Sequence, residues 1–253
     1  MLASVGFSGV VIADALTYLL AALLVLGVRA PQIVREQAAV RGLFRRLLSE
    51  WQAGLKAVRQ NRTLVLSFSV AAVTGLGEGT ISTLMAPFIK VMLGGGGLEL
   101  GLIMSAQAVG GIVGGLLLTG FADRFPMLEL LGWGALLGGV MDGLLLNYPI
   151  LYPVLWPALV LVAVAGLPFA MFAAALMTIL QTEAEPDMRG RVFSTYIAVF
   201  GAAQLVGMLG SGVLGDRLGV MLINTQTVGY LLAGMIVLFV SVRWSNMSRK
   251  QTV

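Results

Sequence analysis

Long, uninterrupted runs of apolar residues dominate the hydrophobic pattern of the chain. The runs are continuous rather than alternating, and each is close to the roughly 20 residues that a helix needs to cross a bilayer. Lipid offers no hydrogen-bond partners to the backbone, whereas a helix pairs its own backbone N–H and C=O groups. Each run is therefore expected to be helical. Seven runs are predicted to span the membrane: 5–28, 64–92, 98–121, 127–146, 153–180, 192–214 and 220–242.

Composition strengthens this interpretation and excludes most enzyme chemistry. The chain is 58% hydrophobic and only 11% charged, whereas soluble domains are about one-quarter charged. It contains no cysteine and no histidine, which removes disulfide frameworks, Ser-His and Cys-His mechanisms and most zinc sites. We therefore expect a membrane protein that is not an enzyme, with lipid as its solvent and with no cofactor or metal.

The basic residues predict an orientation. If the C-terminus is cytoplasmic, only Lys90 and Arg217 of the 16 basic residues fall on the outer side. This asymmetry is the one that the positive-inside rule describes, and it predicts a multi-pass membrane protein with a cytoplasmic C-terminus. The net charge of +4 then reflects topology, and no nucleic-acid partner is expected. The cytoplasmic set comprises Arg29, Arg35, Arg41, Arg45, Arg46, Lys56, Arg59, Arg62, Arg124, Arg189, Arg191, Arg243, Arg249 and Lys250.

The pattern also predicts the domain organisation. Residues 1–28 form one transmembrane helix, 29–62 a cytoplasmic linker, 63–243 a six-helix bundle and 244–253 a cytoplasmic tail. The linker carries apolar residues at helical spacing, which predicts an amphipathic helix. Two interpretations stay open: the helix lies in the membrane interface, or it packs on the protein itself. The apolar positions are Phe44, Leu47, Leu48, Trp51, Leu55 and Val58.

An internal repeat is indicated by two glycine-rich spans that end at Asp-Arg. The third span ends at Asp123-Arg124 and the sixth at Asp216-Arg217, on opposite sides of the predicted membrane. Spans two to four and five to seven would then be inverted three-helix units, a pattern typical of secondary transporters.

Three segments resemble one known family. Residues 115–126, with Asp123-Arg124-Phe125-Pro126, resemble the Gly-x-x-x-Asp-Arg loop signature of the major facilitator superfamily. Residues 185–194, Glu-Pro-Asp-Met-Arg-Gly-Arg-Val-Phe-Ser, resemble the segment before the eleventh helix in the branch of enterobactin exporters and macrolide efflux pumps. Residues 12–19 resemble the sixth helix of that branch.

The resemblance implies a fold and a function. The chain corresponds to helices six to twelve of a twelve-helix transporter, an all-α C-terminal six-helix bundle with one preceding transmembrane helix. The implied function is efflux of small molecules or drugs by alternating access, as a proton-coupled antiporter. The alternative is a truncated or split half-transporter that acts only with a partner N-terminal half. A membrane enzyme is disfavoured, because histidine and metal-ligand clusters are missing.

Two intramembrane carboxyls are candidates for proton coupling. Glu78 lies near the middle of the second span among Gly75, Gly77 and Gly79, where a charge costs about 2.5–3.5 kcal/mol on insertion scales. Burial disfavours its charged form, which suits a group that exchanges a proton for substrate. The structural alternative is a protonated Glu bonded to a neighbouring helix. For Asp14, on the first span, an inter-helix hydrogen bond is favoured over proton coupling.

Other polar residues are assigned to a gate and a cavity. The resemblance favours Asp123, Arg124, Arg189 and Arg191 as cytoplasmic gate residues that form breakable ion pairs; solvated loop charge is the alternative. The middle of the third and sixth spans holds Gln107 and Gln204, which could line a substrate cavity. Further cavity candidates are Met85, Phe200, Phe88, Phe169 and Met171, although helix packing also explains each of these. Asp142, near the outer end of the fourth span, is expected to reach water.

Overall fold

The computed structural model describes residues 2–27 and 40–250. Contacts divide the chain into two units, Met1–Phe44 and Arg45–Val253. The described ranges contain eight α-helices: α1 Leu2–Leu26, α2 Val40–Gln60, α3 Arg62–Leu93, α4 Gly97–Thr119, α5 Met127–Asn147, α6 Leu155–Glu183, α7 Arg189–Leu218 and α8 Thr225–Lys250. Some predictions lie outside what is described: those on Arg29 and Arg35, and those on the side chains of Arg41, Phe44, Arg45, Arg46, Leu47, Leu48, Arg249 and Lys250.

Helix α1 belongs to the first unit. It has 25 residues, which makes it about 38 Å long at the usual rise per residue. The apolar side chains of residues 14–26 are exposed; Leu23, Leu24 and Val25 are each at least 66% accessible. Length and composition agree with the first predicted span, whose passage through a membrane stays a prediction.

Six helices of the second unit have the length and hydropathy of membrane spans. Each overlaps one predicted run, and most ends agree within a few residues. The start of α8 differs, because Val220–Asn224 forms a 3₁₀ turn before the helix begins at Thr225. The prediction of an all-α membrane bundle is confirmed.

Apolar side chains cover the outside of this bundle. Val160 and Val164 on α6 and Ile197 and Val213 on α7 are all more than half exposed. Removing apolar surface from water stabilises a soluble protein by about 25 cal/mol per Å². A surface with this much exposed apolar area would be unfavourable in water, and it fits one surrounded by acyl chains.

Close glycine contacts hold the helices in pairs. Helix α3 packs on α7, and α4 packs on α6. Gly79 lies against the backbone of Gln204, and Gly110 lies against the backbone of Ala163. A side chain at either glycine would separate the helices, as is usual for small residues at membrane helix interfaces. Gly111, one position along α4, faces open space.

The pairing has the symmetry that the repeat requires. Exchanging α3, α4 and α5 for α6, α7 and α8 converts the α3–α7 pair into the α6–α4 pair. The remaining strong contacts include α5 with α8, which the exchange maps onto itself. The two Asp-Arg pairs differ in detail, since Asp123-Arg124 lies in a 3₁₀ turn after α4 and Asp216-Arg217 lies in the last turn of α7.

The second half of α2 packs on the bundle. Val58 is buried in a cluster with Leu64, Phe68, Leu180, Ala184 and Val192. Gly54 lies directly against Thr195 and the carbonyl of Arg191. Of the two open interpretations, packing on the protein therefore describes this half, while Trp51 remains 43% exposed.

Asn61 joins three helices at this end of the bundle. Its Oδ1 accepts hydrogen bonds from the backbone N–H groups of Thr63 and Leu64, at 2.8 and 3.3 Å, and so caps α3. Its Nδ2 donates to Oε2 of Glu183 at the end of α6, at 2.8 Å. The cap fixes the start of α3 and hence the depth at which Glu78 lies in the bundle.

Candidate functional site

A cavity of about 370 Å³ opens in the bundle around Glu78. Helices α3 to α8 all contribute to it, and it lies between the two larger clusters of the apolar core. Its lining residues are Glu78, Ile81, Ser82, Met85, Ala86, Leu100, Ile103, Met104, Gln107, Asp142, Leu145, Val162, Phe169, Gln204 and Gln226.

Glycines place Glu78 between α7 and α8. On one side, Gly79 lies against the backbone of Gln204 on α7; on the other, a Cβ at Gly77 would stand 2.6 Å from Cα of Gln226 on α8. Gly77 and Gly79 thus allow close contact of α3 with α8 and α7. They let two helices approach the residue, so that Glu78 is half-buried although it lines the cavity.

Two hydrogen bonds from α8 hold the two carboxyls of the cavity. The hydroxyl of Tyr230 donates to Oε1 of Glu78 at 2.9 Å. The amide Nε2 of Gln226 donates to Oδ2 of Asp142 at 3.0 Å. Residues four apart share one face of a helix, so Gln226 and Tyr230 reach the two carboxyls from neighbouring turns.

Aromatic contacts fix the position of Tyr230. Its ring packs edge to face against Phe169 and Phe172, with centroids 5.3 Å away in both pairs. Tyr230 is only 4% exposed. The hydroxyl donor is therefore already oriented toward Glu78. Glu78 therefore meets the geometric requirement of both interpretations. It bonds to a neighbouring helix, as the structural interpretation requires, and it lines the cavity, as the proton-coupling interpretation requires.

Sequence reasoning missed Asp142, Gln226 and Tyr230 as members of this site. Asp142 was expected to reach water at the outer end of its span; it is instead 4% exposed, lines the cavity and accepts a hydrogen bond from Gln226. The available signal was the pair of polar residues four apart in an apolar helix, Gln226 and Tyr230.

Of the four main cavity candidates, Met85, Gln107 and Gln204 line this cavity, and their role in substrate binding stays a prediction. Phe200 instead stacks on Tyr196, with centroids 6.0 Å apart, and lies against Gly75. Of the secondary candidates, Phe169 lines the cavity, whereas Phe88 and Met171 are core residues at 1% and 9% exposure.

Asp14 belongs to α1 of the first unit. Its side chain is exposed, and its backbone carbonyl accepts a bond from the Thr17 hydroxyl at 2.7 Å. Its predicted inter-helix hydrogen bond and its proton-coupling role stay predictions.

The four predicted gate residues lie at one end of the bundle and are exposed. Asp123 and Arg124 form the turn after α4, and Arg189 and Arg191 begin α7. Arg191 Nη1 contacts the sulfur of Met188 at 3.3 Å. Within residues 2–27 and 40–250 these four side chains form no ion pair with one another. The geometry thus brings them to one end but does not join them, and the gate stays a prediction.

Taken with the six apolar helices, the cavity around Glu78 defines a helical membrane protein with a central cavity that contains two carboxyl groups. A family model described as the Major Facilitator Superfamily matches residues 67–251. Since this match covers most of the chain, the chain belongs to the major facilitator superfamily and is a membrane transporter. Members of this superfamily are typically not enzymes. A comparison with curated proteins gave no match.

Proposed function

We propose that the chain exports small molecules by alternating access and exchanges them for protons at Glu78. The observation that supports this most is the position of that carboxyl: mid-helix in α3, bonded to Tyr230 and open to a 370 Å³ cavity. An ionisable group inside the membrane is costly and is usually functional. The resemblance of residues 185–194 to enterobactin exporters and macrolide pumps supports the outward direction.

The proton exchange rests on the balance of charge in the cavity. Glu78 and Asp142 line it, and no lysine or arginine does so among the described residues. A carboxyl without a cationic partner in a low dielectric is more stable when protonated. Substrate that needs the deprotonated form then competes with the proton, which is the requirement for antiport.

The test uses everted membrane vesicles and a fluorescent reporter of the pH gradient. Ethidium, erythromycin and a catecholate siderophore are added in turn. A transported compound should dissipate the gradient, and an ionophore should abolish its accumulation. Glu78→Gln should remove both effects. Accumulation that persists in Glu78→Gln with an intact gradient would reject proton coupling.

A second candidate is a half-transporter that acts only with a partner N-terminal half. Of the six spans, α4 and α7 bury the smallest share of their residues, yet they contribute Gln107 and Gln204 to the cavity. Their exposed sides therefore flank the site, where a second helical unit would enclose it. Genomic sequence tests this: an in-frame stretch upstream encoding five more hydrophobic helices would make the chain a truncated transporter, and a separate reading frame encoding them would make it a split one. Absence of both would reject the candidate.

We also propose an inner-membrane location with a cytoplasmic C-terminus, from the positive-inside rule. The chain has no cysteine, so a single introduced thiol reports orientation. Gln52→Cys on α2 should be protected from an impermeant maleimide in intact cells, whereas Asp216→Cys at the end of α7 should react. Equal labelling of both would contradict the orientation.

A further inference from the structure

The polar groups of the cavity favour a positively charged ligand. Glu78 and Asp142 supply carboxyl oxygens, and Gln107, Gln204 and Gln226 supply amides. The nearest basic residue on α3, Lys90, lies about 18 Å along the helix axis from Glu78. An anion in this cavity would meet two acidic groups with no compensating base, which is unfavourable in a low dielectric.

One buried acceptor has no partner. Gln226 is 4% exposed, and its Nε2 is used by Asp142. Its Oε1 is fully buried and accepts no hydrogen bond in the described part of the chain. A buried acceptor without a donor costs about 1–3 kcal/mol. Because this oxygen has almost no accessible surface, the carboxyl of Asp142 beside it is the group that a ligand N–H in the cavity can contact.

The remaining walls are apolar and polarizable. Met85, Met104, Leu100, Ile103 and Phe169 surround the two polar pairs. Thioether and aromatic groups accommodate varied apolar shapes, and the aromatic face attracts cations. The volume of about 370 Å³ lies in the range of small-molecule sites, roughly 300–1,000 Å³. A ligand with one cationic N–H end and one apolar body would match both parts.

We propose that the cavity binds protonated organic amines, with the ammonium group held by Asp142 and the apolar body among the Met and Phe side chains. Glu78, held separately by Tyr230, remains the group that exchanges protons. This assignment rests on the proposed transport function and specifies its substrate class.

The first test compares two probes that differ by one charge. Dansylcadaverine carries a free alkylamine, which is protonated at pH 7.5 because such amines titrate near 10.4; its N-acetyl derivative is neutral. The full-length chain is placed in phosphatidylcholine nanodiscs and titrated by dansyl fluorescence. The amine should bind about 10- to 100-fold more tightly, the range for a hydrogen bond to a charged group. Equal affinity of the two probes would overturn the proposal.

The second test locates the ammonium group. Asp142→Asn can still accept the Gln226 hydrogen bond but has no charge, so it should weaken amine binding about tenfold and leave N-acetyl binding unchanged. The matched control is Asp216→Asn, an exposed acid at the end of α7, which should change neither. Unchanged amine affinity in Asp142→Asn would contradict the assignment. If Asp142→Asn fails to fold, Asp142→Glu takes its place and should keep the preference for the amine; loss of the preference would contradict the assignment.

The outcomes separate this assignment from the transport function. If the neutral probe binds as well as the amine, while gradient dissipation still depends on Glu78, the amine assignment fails and proton-coupled export stands. If the amine is preferred but Glu78→Gln keeps normal gradient dissipation, proton coupling at Glu78 fails and the amine site stands.

Discussion

The charged side chains at the centre of the bundle and those at one end lie in opposite environments. The central cavity has two carboxyls, each bonded to a side chain of α8. The end that carries α2 is rich in charges, but Asp123, Arg124, Arg189 and Arg191 are all exposed there. Exposed charges contribute little to stability because water screens them, whereas buried ones must be satisfied. Burial and partners, rather than the number of charges, therefore mark the candidate site.

The largest expected contrast between the two regions is in transport. Glu78→Gln removes the proton-exchanging carboxyl, so proton-driven export should be lost. Glu183→Gln, at the charged end, keeps an acceptor for Asn61 and should keep export near the wild-type level. Vesicle assays of the pH gradient check both variants. A loss of the same size in Glu183→Gln would remove the distinction between centre and end.

Helix packing should show the next largest contrast. Gly79→Ala places a methyl group against the backbone of Gln204, whereas Gly190→Ala at the start of α7 points into open space. The first should destabilise the bundle by about 1–3 kcal/mol, the usual cost of overpacking. The second should be neutral or stabilising by up to about 1 kcal/mol, because alanine favours helix. Thermal unfolding in detergent measures both, and equal melting temperatures would show that the close contact at Gly79 is unimportant.

The fold follows from patterns that lie within single helices, which is why it could be predicted. The spans were predicted from continuous apolar runs, and Glu78, Gln107 and Gln204 were predicted because they are polar residues inside those runs. The partners of those residues depend on how helices rotate against one another. Nothing in the sequence of α5 shows that Asp142 faces Gln226, and nothing in α7 shows that Phe200 lies against Gly75 on α3. These contacts are set by packing between helices.

A smaller effect is expected from the hydrogen bond to Glu78. Tyr230→Phe removes the donor but keeps the ring contacts with Phe169 and Phe172. Inter-helix hydrogen bonds in membranes average about 0.6 kcal/mol, so unfolding should shift by about that amount. The control is Tyr152→Phe, an exposed residue beyond α5, which should not shift it. A loss of several kcal/mol in Tyr230→Phe would mean that the pair is a main support of the fold.

The smallest effect is expected at the charged end. Arg124→Gln and Arg191→Gln should each change the free energy of unfolding by less than about 0.5 kcal/mol, since both side chains are exposed and exposed charges interact weakly. Reduced export with unchanged stability would support the gate role, because the ion pairs would then form in another conformation. A stability loss above 1 kcal/mol would contradict the description of this end as solvated.

The claim that underlies the account is that water-soluble molecules reach the cavity around Glu78 from outside the bilayer. Since the chain has no cysteine, one measurement tests it: the reaction rate of a charged methanethiosulfonate reagent with Gln204→Cys, on the cavity wall, and with Met235→Cys, exposed on α8. Such reagents need a hydrated thiolate. We predict fast modification at 204 and slow modification at the lipid-facing position 235. Equal rates, or an unreactive thiol at 204, would contradict the account.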